Sequence, residues 1–154
     1  KMMSCCILVI DTATGRGRLA NAGQCFPVLV DAANEARPVD CPAHPLGCVK
    51  KPNLAICGLD LPGSGCVVLH SDGLVEAVDR LGTPVNYDRF YRFIAEGWAE
   101  RTACVDVIPR IFDRVRSVTD PVPWADDATI VLIGFRDEPP GLASTPHLQA
   151  THGR

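Results

Sequence analysis

The residues of this chain best suited to chemistry are aspartates at the ends of apolar runs. In His70-Ser71-Asp72-Gly73-Leu74-Val75-Glu76-Ala77, an aspartate follows the run Cys66-Val67-Val68-Leu69 and precedes a glycine and a helix start. A carboxylate carried at the end of a buried strand is held in one place at the sheet edge. That suits a hard cation such as Mg²⁺ or Mn²⁺, which takes oxygen donors in fixed geometry. The competing reading is an Asp N-cap, and on spacing alone it is the simpler one. A second group, Trp124-Ala125-Asp126-Asp127-Ala128-Thr129-Ile130-Val131-Leu132-Ile133, sets two adjacent aspartates before another apolar strand. Adjacent like charges are costly unless a cation or hydrogen bonds compensate, although a solvated turn accounts for them equally well. The two groups gain meaning together. If their strands are neighbours, the carboxylates converge, and with one more they could hold a two-metal site of the kind used in phosphoryl chemistry.

The elements that must position these groups are legible in the pattern. Residues 4–10 form an apolar run rich in Ile, Val and Cys, which predicts a buried strand. Asp11-Thr12-Ala13-Thr14-Gly15 is turn chemistry, and residues 16–21 alternate as a hairpin partner would. Phe26 to Val30 is a third apolar run. Residues 31–63 are broken by Pro38, Pro42, Pro45, Pro52 and Pro62, with only Leu54 to Cys57 and Leu59 reading as short strand, and Leu61-Pro62-Gly63 as a turn. Leu74 to Val78 reads as a helical turn. Tyr87, Phe90, Tyr91, Ile94 and Trp98 recur at helical spacing, with Gly97 as a stop signal. Thr102 is placed to cap a further helix whose apolar face is Cys104, Val107, Ile108, Ile111, Phe112 and Val115, and Pro109 should kink or restart it. Ala128 to Phe135 is a last buried strand, and from Asp137 onward the chain reads as an unpatterned tail. Strands and helices mix without βαβ alternation, which predicts an α+β fold with antiparallel hairpins.

Composition sets outer limits. The chain has 154 residues, 47% of them hydrophobic, and a net charge of −3. One domain with a real core is expected, and no basic footprint argues for nucleic acid. Eight cysteines are present, mostly inside apolar runs and without a C-x-x-C pair. They are expected to be free and buried, in a reducing cytoplasm. A cysteine-based redox or zinc protein has only that count in its favour. No apolar run reaches membrane-span length. Lys1-Met2-Met3-Ser4 leads straight into strand, so the chain is expected to start within a domain.

The order Asn21-Ala22-Gly23, Pro45-Leu46-Gly47, Leu61-Pro62-Gly63, Ser71-Asp72-Gly73-Leu74-Val75-Glu76-Ala77 and Asp126-Asp127-Ala128-Thr129-Ile130 resembles the PPM phosphatases. Within them it is similar to the SpoIIE/RsbU branch, whose pattern runs N-A-G-H-x-P-P, P-L-G, L-x-P-G-D, Y-T-D-G-L-x-E-A and D-D-x-T-L-L-V. The resemblance covers about Cys5 to Phe135. It implies a four-layer α-β-β-α sandwich of two largely antiparallel sheets flanked by helices, with the N-terminal portion missing. Residues 1–136 would be the partial phosphatase domain, and 137–154 a disordered tail.

The implied activity is hydrolysis of phosphoserine or phosphothreonine on a protein. Two Mn²⁺ or Mg²⁺ ions would activate a water that attacks phosphorus directly, so no side chain is assigned as nucleophile. By resemblance Asp72 and Asp126 are metal ligands, with Asp127 and Gly73 as their supporting neighbours. The implied partner is a phosphorylated anti-anti-sigma protein of STAS type, with a sensor or receiver domain upstream. Departures from the branch are Gln24 in place of His, Ser64 in place of the Asp of L-x-P-G-D, His70 in place of an aromatic residue, and Pro109 inside a helix that the family keeps continuous. The family's D-x-x-G-H-G motif, with its bridging aspartate, has no counterpart among these residues. A catalytically inactive binding module on the same fold is therefore the alternative. Sheet edges left unpaired by such a deficit are expected to favour aggregation or a homodimer.

Overall fold

A computed structural model describes residues 1–61, 63–135 and 149–153. Strand β1 (Cys5–Asp11) turns through Asp11–Gly15 into β2 (Arg16–Ala22), and the two pair antiparallel from Cys5↔Ala22 to Asp11↔Arg16. The turn closes because Asp11 Oδ1 accepts the Ala13 amide at 2.9 Å while Gly15 takes φ +67°, a region glycine enters without steric cost. Strand β3 (Val28–Val30) and β4 (Ala36–Pro38) follow, then β5 (Ile56–Asp60), which pairs with β2 and completes a three-stranded sheet.

The second sheet has the order β4-β3-β6-β7-β8, with β6 at Gly65–His70, β7 at Ala128–Phe135 and β8 at Gln149–Gly153. Every pair is antiparallel. The register of β6 and β7 runs from Gly65↔Phe135 to His70↔Ile130. The two strands that carry the acidic groups are therefore neighbours, and those groups emerge at the same end of the sheet. Strand β8 lies within the segment expected as tail. Its polar sequence, Gln149-Ala150-Thr151-His152-Gly153, can still pair because a ladder uses main-chain groups and β7 offers an edge. The tail residues 136–148 and 154, and Pro62 of the expected turn, lie outside the described residues.

Three helices pack on the five-stranded sheet: α1 (Gly73–Glu76), α2 (Tyr87–Ala99) and α3 (Val107–Thr119). Their apolar faces supply Leu74, Phe90, Ile94, Trp98, Ile111, Phe112 and Val115. These meet Val28, Val30, Cys66, Val68, Ile130 and Leu132 from the sheet in one core. Burying each such side chain contributes about 1.5–3 kcal/mol, which holds the helices on the sheet. No helix among the described residues is long and apolar enough to cross a membrane.

Several local expectations are corrected. Strand β1 is only half buried: Ile7 and Val9, 56% and 50% exposed, alternate with partly buried Leu8 and Ile10, so one face of the strand is left uncovered by the described residues. Gly97 does not end α2. It lies buried inside the helix, facing Ile111 and the Val107 carbonyl of α3. Thr102 does not cap α3. A 3₁₀ turn at Cys104–Asp106 precedes that helix, and the Asp106 carboxylate accepts the Ala103 amide at 3.0 Å. Pro109 is the third residue of α3, where an amide hydrogen would have no partner within the helix. It therefore marks the restart rather than a kink. Finally, Cys41 and Cys57 form a disulfide with Cα atoms 6.2 Å apart, and the other six cysteines form no disulfide among the described residues. The pairing joins residues from separate stretches of an irregular segment, which no spacing rule could have indicated.

Candidate metal centre

Each acidic group is fixed by its own anchor. Asp72 leaves β6, a strand in which five of the six residues are buried, and enters α1, whose Gly73, Leu74 and Val75 are also buried. The Asp72 carbonyl accepts the amides of Val75 and Glu76 at 2.9 and 3.0 Å, but its side chain makes no capping bond. The capping reading of this aspartate therefore fails, and its exposed carboxylate remains available. Asp126 follows Trp124, which is pinned twice. The Trp124 indole N–H donates to Thr119 Oγ1 at 3.0 Å, and its ring stacks on Phe112 with centroids 5.9 Å apart. Thr119 is itself fully buried and bonds the Val115 carbonyl at 3.0 Å. Sequence reasoning missed both residues; a tryptophan two positions before the acidic pair was the available signal.

The two turns touch through main chain. A side-chain carbon added at Gly73 would lie 2.6 Å from the Asp127 carbonyl oxygen and 3.2 Å from that of Asp126. Only glycine lets the Asp72 and Asp126–Asp127 turns come this close. One Asp126 oxygen accepts the Asp127 amide at 2.7 Å, the bond expected of a local turn, and its other oxygen takes no hydrogen bond from the described residues. The Asp127 carbonyl accepts the Ser71 hydroxyl at 3.1 Å, and the Ser71 Oγ accepts the Thr129 amide at 2.9 Å. The ion pairs among the described residues run between α2 and α3, Arg114 to Glu96 and Glu100, and Arg110 to Glu100. None of them neutralises Asp72, Asp126 or Asp127.

Behind the acidic edge lies a cleft of about 510 Å³ whose walls come from both sheets, including Cys6, Gln24, Cys25, His70, Ser71 and Thr129. Gln24 on its wall is held by the neighbouring Asn21-Ala22-Gly23 segment. Asn21, 2% exposed, donates to the Gln24 carbonyl at 2.8 Å and accepts the Gln24 amide at 3.1 Å. Gly23 takes φ +73° and packs directly on Pro45, so the Asn21-Ala22-Gly23 and Pro45-Leu46-Gly47 segments interlock. Leu46 in turn exchanges two main-chain bonds with Met3. His70 is a packed strand-end residue, its ring 4.7 Å from that of Phe90 and its Nδ1 3.1 Å from the Ser71 carbonyl. Burial holds its pKa below the ordinary value. Burial also pushes the thiols of Cys6, Cys25 and Cys66 up, so these sites favour the unreactive thiol over the thiolate.

In kind, the donors at the acidic edge fit a hard divalent cation: exposed carboxylates, unpaired with Lys or Arg and held on rigid strand ends. In number they fall short, since no group of three His, Cys, Asp or Glu side chains among the described residues is close enough to hold an ion.

Comparison with known proteins agrees with this geometry. Residues 1–136 match the family described as stage II sporulation protein E (SpoIIE). No curated protein matches the chain in sequence. Among solved structures, the chain is similar to the RsbU and RsbW domains of Rv1364c from Mycobacterium tuberculosis, with 24% identity and a TM-score of 0.70 over 89% of this chain and 37% of that one. It is similar to the phosphatase domain of the cell fate determinant SpoIIE from Bacillus subtilis, presoaked with manganese (14% identity, TM-score 0.69, 90% of this chain and 59% of that one). It is also similar to the SiaA-PP2C domain of Pseudomonas aeruginosa (16% identity, TM-score 0.74, 88% and 52%). The chain thus spans from about a third to three fifths of the solved chains it matches. Two antiparallel sheets flanked by helices, acidic turns at the shared end of two central strands and a family match over residues 1–136 lead to one conclusion: the chain belongs to the SpoIIE family and has the PPM phosphatase fold.

Proposed function

We propose that this chain is part of a metal-dependent phosphatase that hydrolyses phosphoserine or phosphothreonine on a regulatory protein. The observation that carries this reading is the close approach of two acidic turns through Gly73, each turn held by a separate anchor and neither neutralised by a described cation. In this reading Asp72 and Asp126 hold Mn²⁺ or Mg²⁺. When bound, the ions would supply positive charge against the phosphoryl oxygens and a water acidic enough to act near neutral pH. Gly73 sets the spacing of the two turns. Asp127, whose carbonyl is tied to Ser71, supports Asp126 rather than binding metal.

By family, the partner we propose is a phosphorylated STAS-type protein, met in the cytoplasm. A second reading, an inactive binding module, is favoured by one observation: the described residues supply fewer than three metal-ligating side chains at any one place. The deciding experiment is Mn²⁺-dependent hydrolysis of a phosphoserine STAS protein by the full-length gene product. Asp72→Asn and Asp126→Asn are each expected to lower the rate at least about a hundredfold, since even the outer partners of metal ligands cost 10–100-fold. A wild-type protein that neither binds Mn²⁺ in calorimetry nor differs from the variants would refute the phosphatase reading and favour the module.

A further inference from the structure

Ser71 enters the reading above only as the partner of the Asp127 carbonyl, yet it stands where the two acidic turns meet. The β6–β7 register would continue from His70↔Ile130 to a pair of Ser71 with Thr129. Half of that rung is present, because the Ser71 amide donates to the Thr129 carbonyl at 3.1 Å. In a continued antiparallel rung the Thr129 amide would return to the Ser71 carbonyl. It donates instead to the Ser71 Oγ at 2.9 Å, and the Ser71 carbonyl faces His70 Nδ1 at 3.1 Å. The Ser71 hydroxyl passes its own hydrogen to the Asp127 carbonyl at 3.1 Å. A hydroxyl can serve both ends because it carries one donor and two acceptor lone pairs. The ladder is thus completed by a side chain at the point where both strands give way to acidic turns. His70, whose Nδ1 faces the Ser71 carbonyl, is itself held by packing. Its ring is 4% exposed and stands edge-on to Phe90, with centroids 4.7 Å apart.

We propose that Ser71 is a positioning residue whose hydroxyl sets the spacing between Asp72 and the Asp126–Asp127 turn, and thereby the affinity of the site for a divalent cation. The proposal rests on the metal reading given above. The bonds are part-buried or exposed, so water can satisfy Thr129 and Asp127 if the hydroxyl is removed, and little stability is lost. Water cannot hold the two turns at a set distance. The loss should therefore fall on metal binding rather than on folding.

The test uses the full-length gene product, Mn²⁺ calorimetry, thermal melting and amide hydrogen exchange at Thr129. Ser71→Ala is expected to weaken Mn²⁺ binding about tenfold or more and to speed Thr129 exchange, with the melting temperature within about 4 °C of wild type. Ser71→Thr, which keeps the hydroxyl, is expected to restore both. If Ser71→Ala binds Mn²⁺ like wild type while Asp72→Asn does not, or if its Thr129 exchange is unchanged, the proposal is overturned and the metal reading stands. If Asp72→Asn binds Mn²⁺ like wild type, the metal reading itself is overturned, and with it the role given to Ser71.

Discussion

Replacing Gly73 by alanine separates two opposing effects whose sizes the structure supplies. Gly73 is the first residue of α1, and alanine there would gain up to about 1 kcal/mol in helix propensity. The new methyl group, however, would sit 2.6 Å from the Asp127 carbonyl oxygen, 3.1 Å from its carbon and 3.2 Å from the Asp126 oxygen. These are main-chain atoms on a turn pinned by Trp124, so no side-chain rotation can relieve the contact. Restoring an ordinary approach of 3.4 Å from 2.6 Å means moving one turn away from the other by about 0.8 Å. Overpacking of this kind costs about 1–3 kcal/mol. The net loss lies between about 0 and 3 kcal/mol, or up to roughly 12 °C in melting temperature for a chain of this size. Because the displacement separates the Asp72 turn from the Asp126–Asp127 turn, Mn²⁺ affinity should fall at least about tenfold. Gly97→Ala is the control. Its added carbon would meet Ile111 Cγ1 at 3.4 Å, an ordinary contact, so stability should be unchanged or rise by up to about 1 kcal/mol. Melting curves and Mn²⁺ calorimetry on both variants decide the matter. If Gly73→Ala melts and binds metal like wild type, the close approach of the turns is not what builds the site.

Other consequences can be checked more simply. Thiol titration in denaturant without reductant should find six reactive thiols, since Cys41 and Cys57 are paired; eight would show the pair reduced. Burial and the neighbouring Cys25 push the Tyr87 hydroxyl from 10.0 up to about 12, and burial raises that of Tyr91. Both tyrosines are thus protonated more readily in the folded chain than in the unfolded one. Their contribution to stability is complete below pH 10 and lost as pH rises towards 12. An ultraviolet titration of the native chain with its midpoint at the unfolded value would contradict this. Pro109→Ala should change stability by less than about 1 kcal/mol, against the ~3 kcal/mol that a proline costs in a helix interior, because at the third position of α3 no helical bond is at stake. A larger change in the melting curve would mean that the 3₁₀ turn before it depends on the ring.

The local pattern of the chain determined much of this. Apolar runs located β1, β6 and β7, the hairpin turn located β2, and helical spacing located α2 and α3, because side-chain period is a property of one stretch of chain. The same pattern put Asp72 and Asp126 at the ends of apolar strands, while leaving the cap and the solvated turn as competitors. Tertiary structure removed the side-chain cap at Asp72 and set its turn against that of Asp126 and Asp127. That β6 lies beside β7, that Gly73 lies against Asp127, and that Ser71 reaches Thr129 across 58 residues of sequence are long-range facts that no local period contains. Whether a strand is buried on one face or two also depends on what lies across it, so β1 reads as core by composition and stands as an exposed edge. The disulfide of Cys41 with Cys57 belongs to the same class, set by how an irregular segment folds back on β5. Residue types and their order told what the acidic turns could bind; only the packing of two strands, one glycine and one serine brought them together.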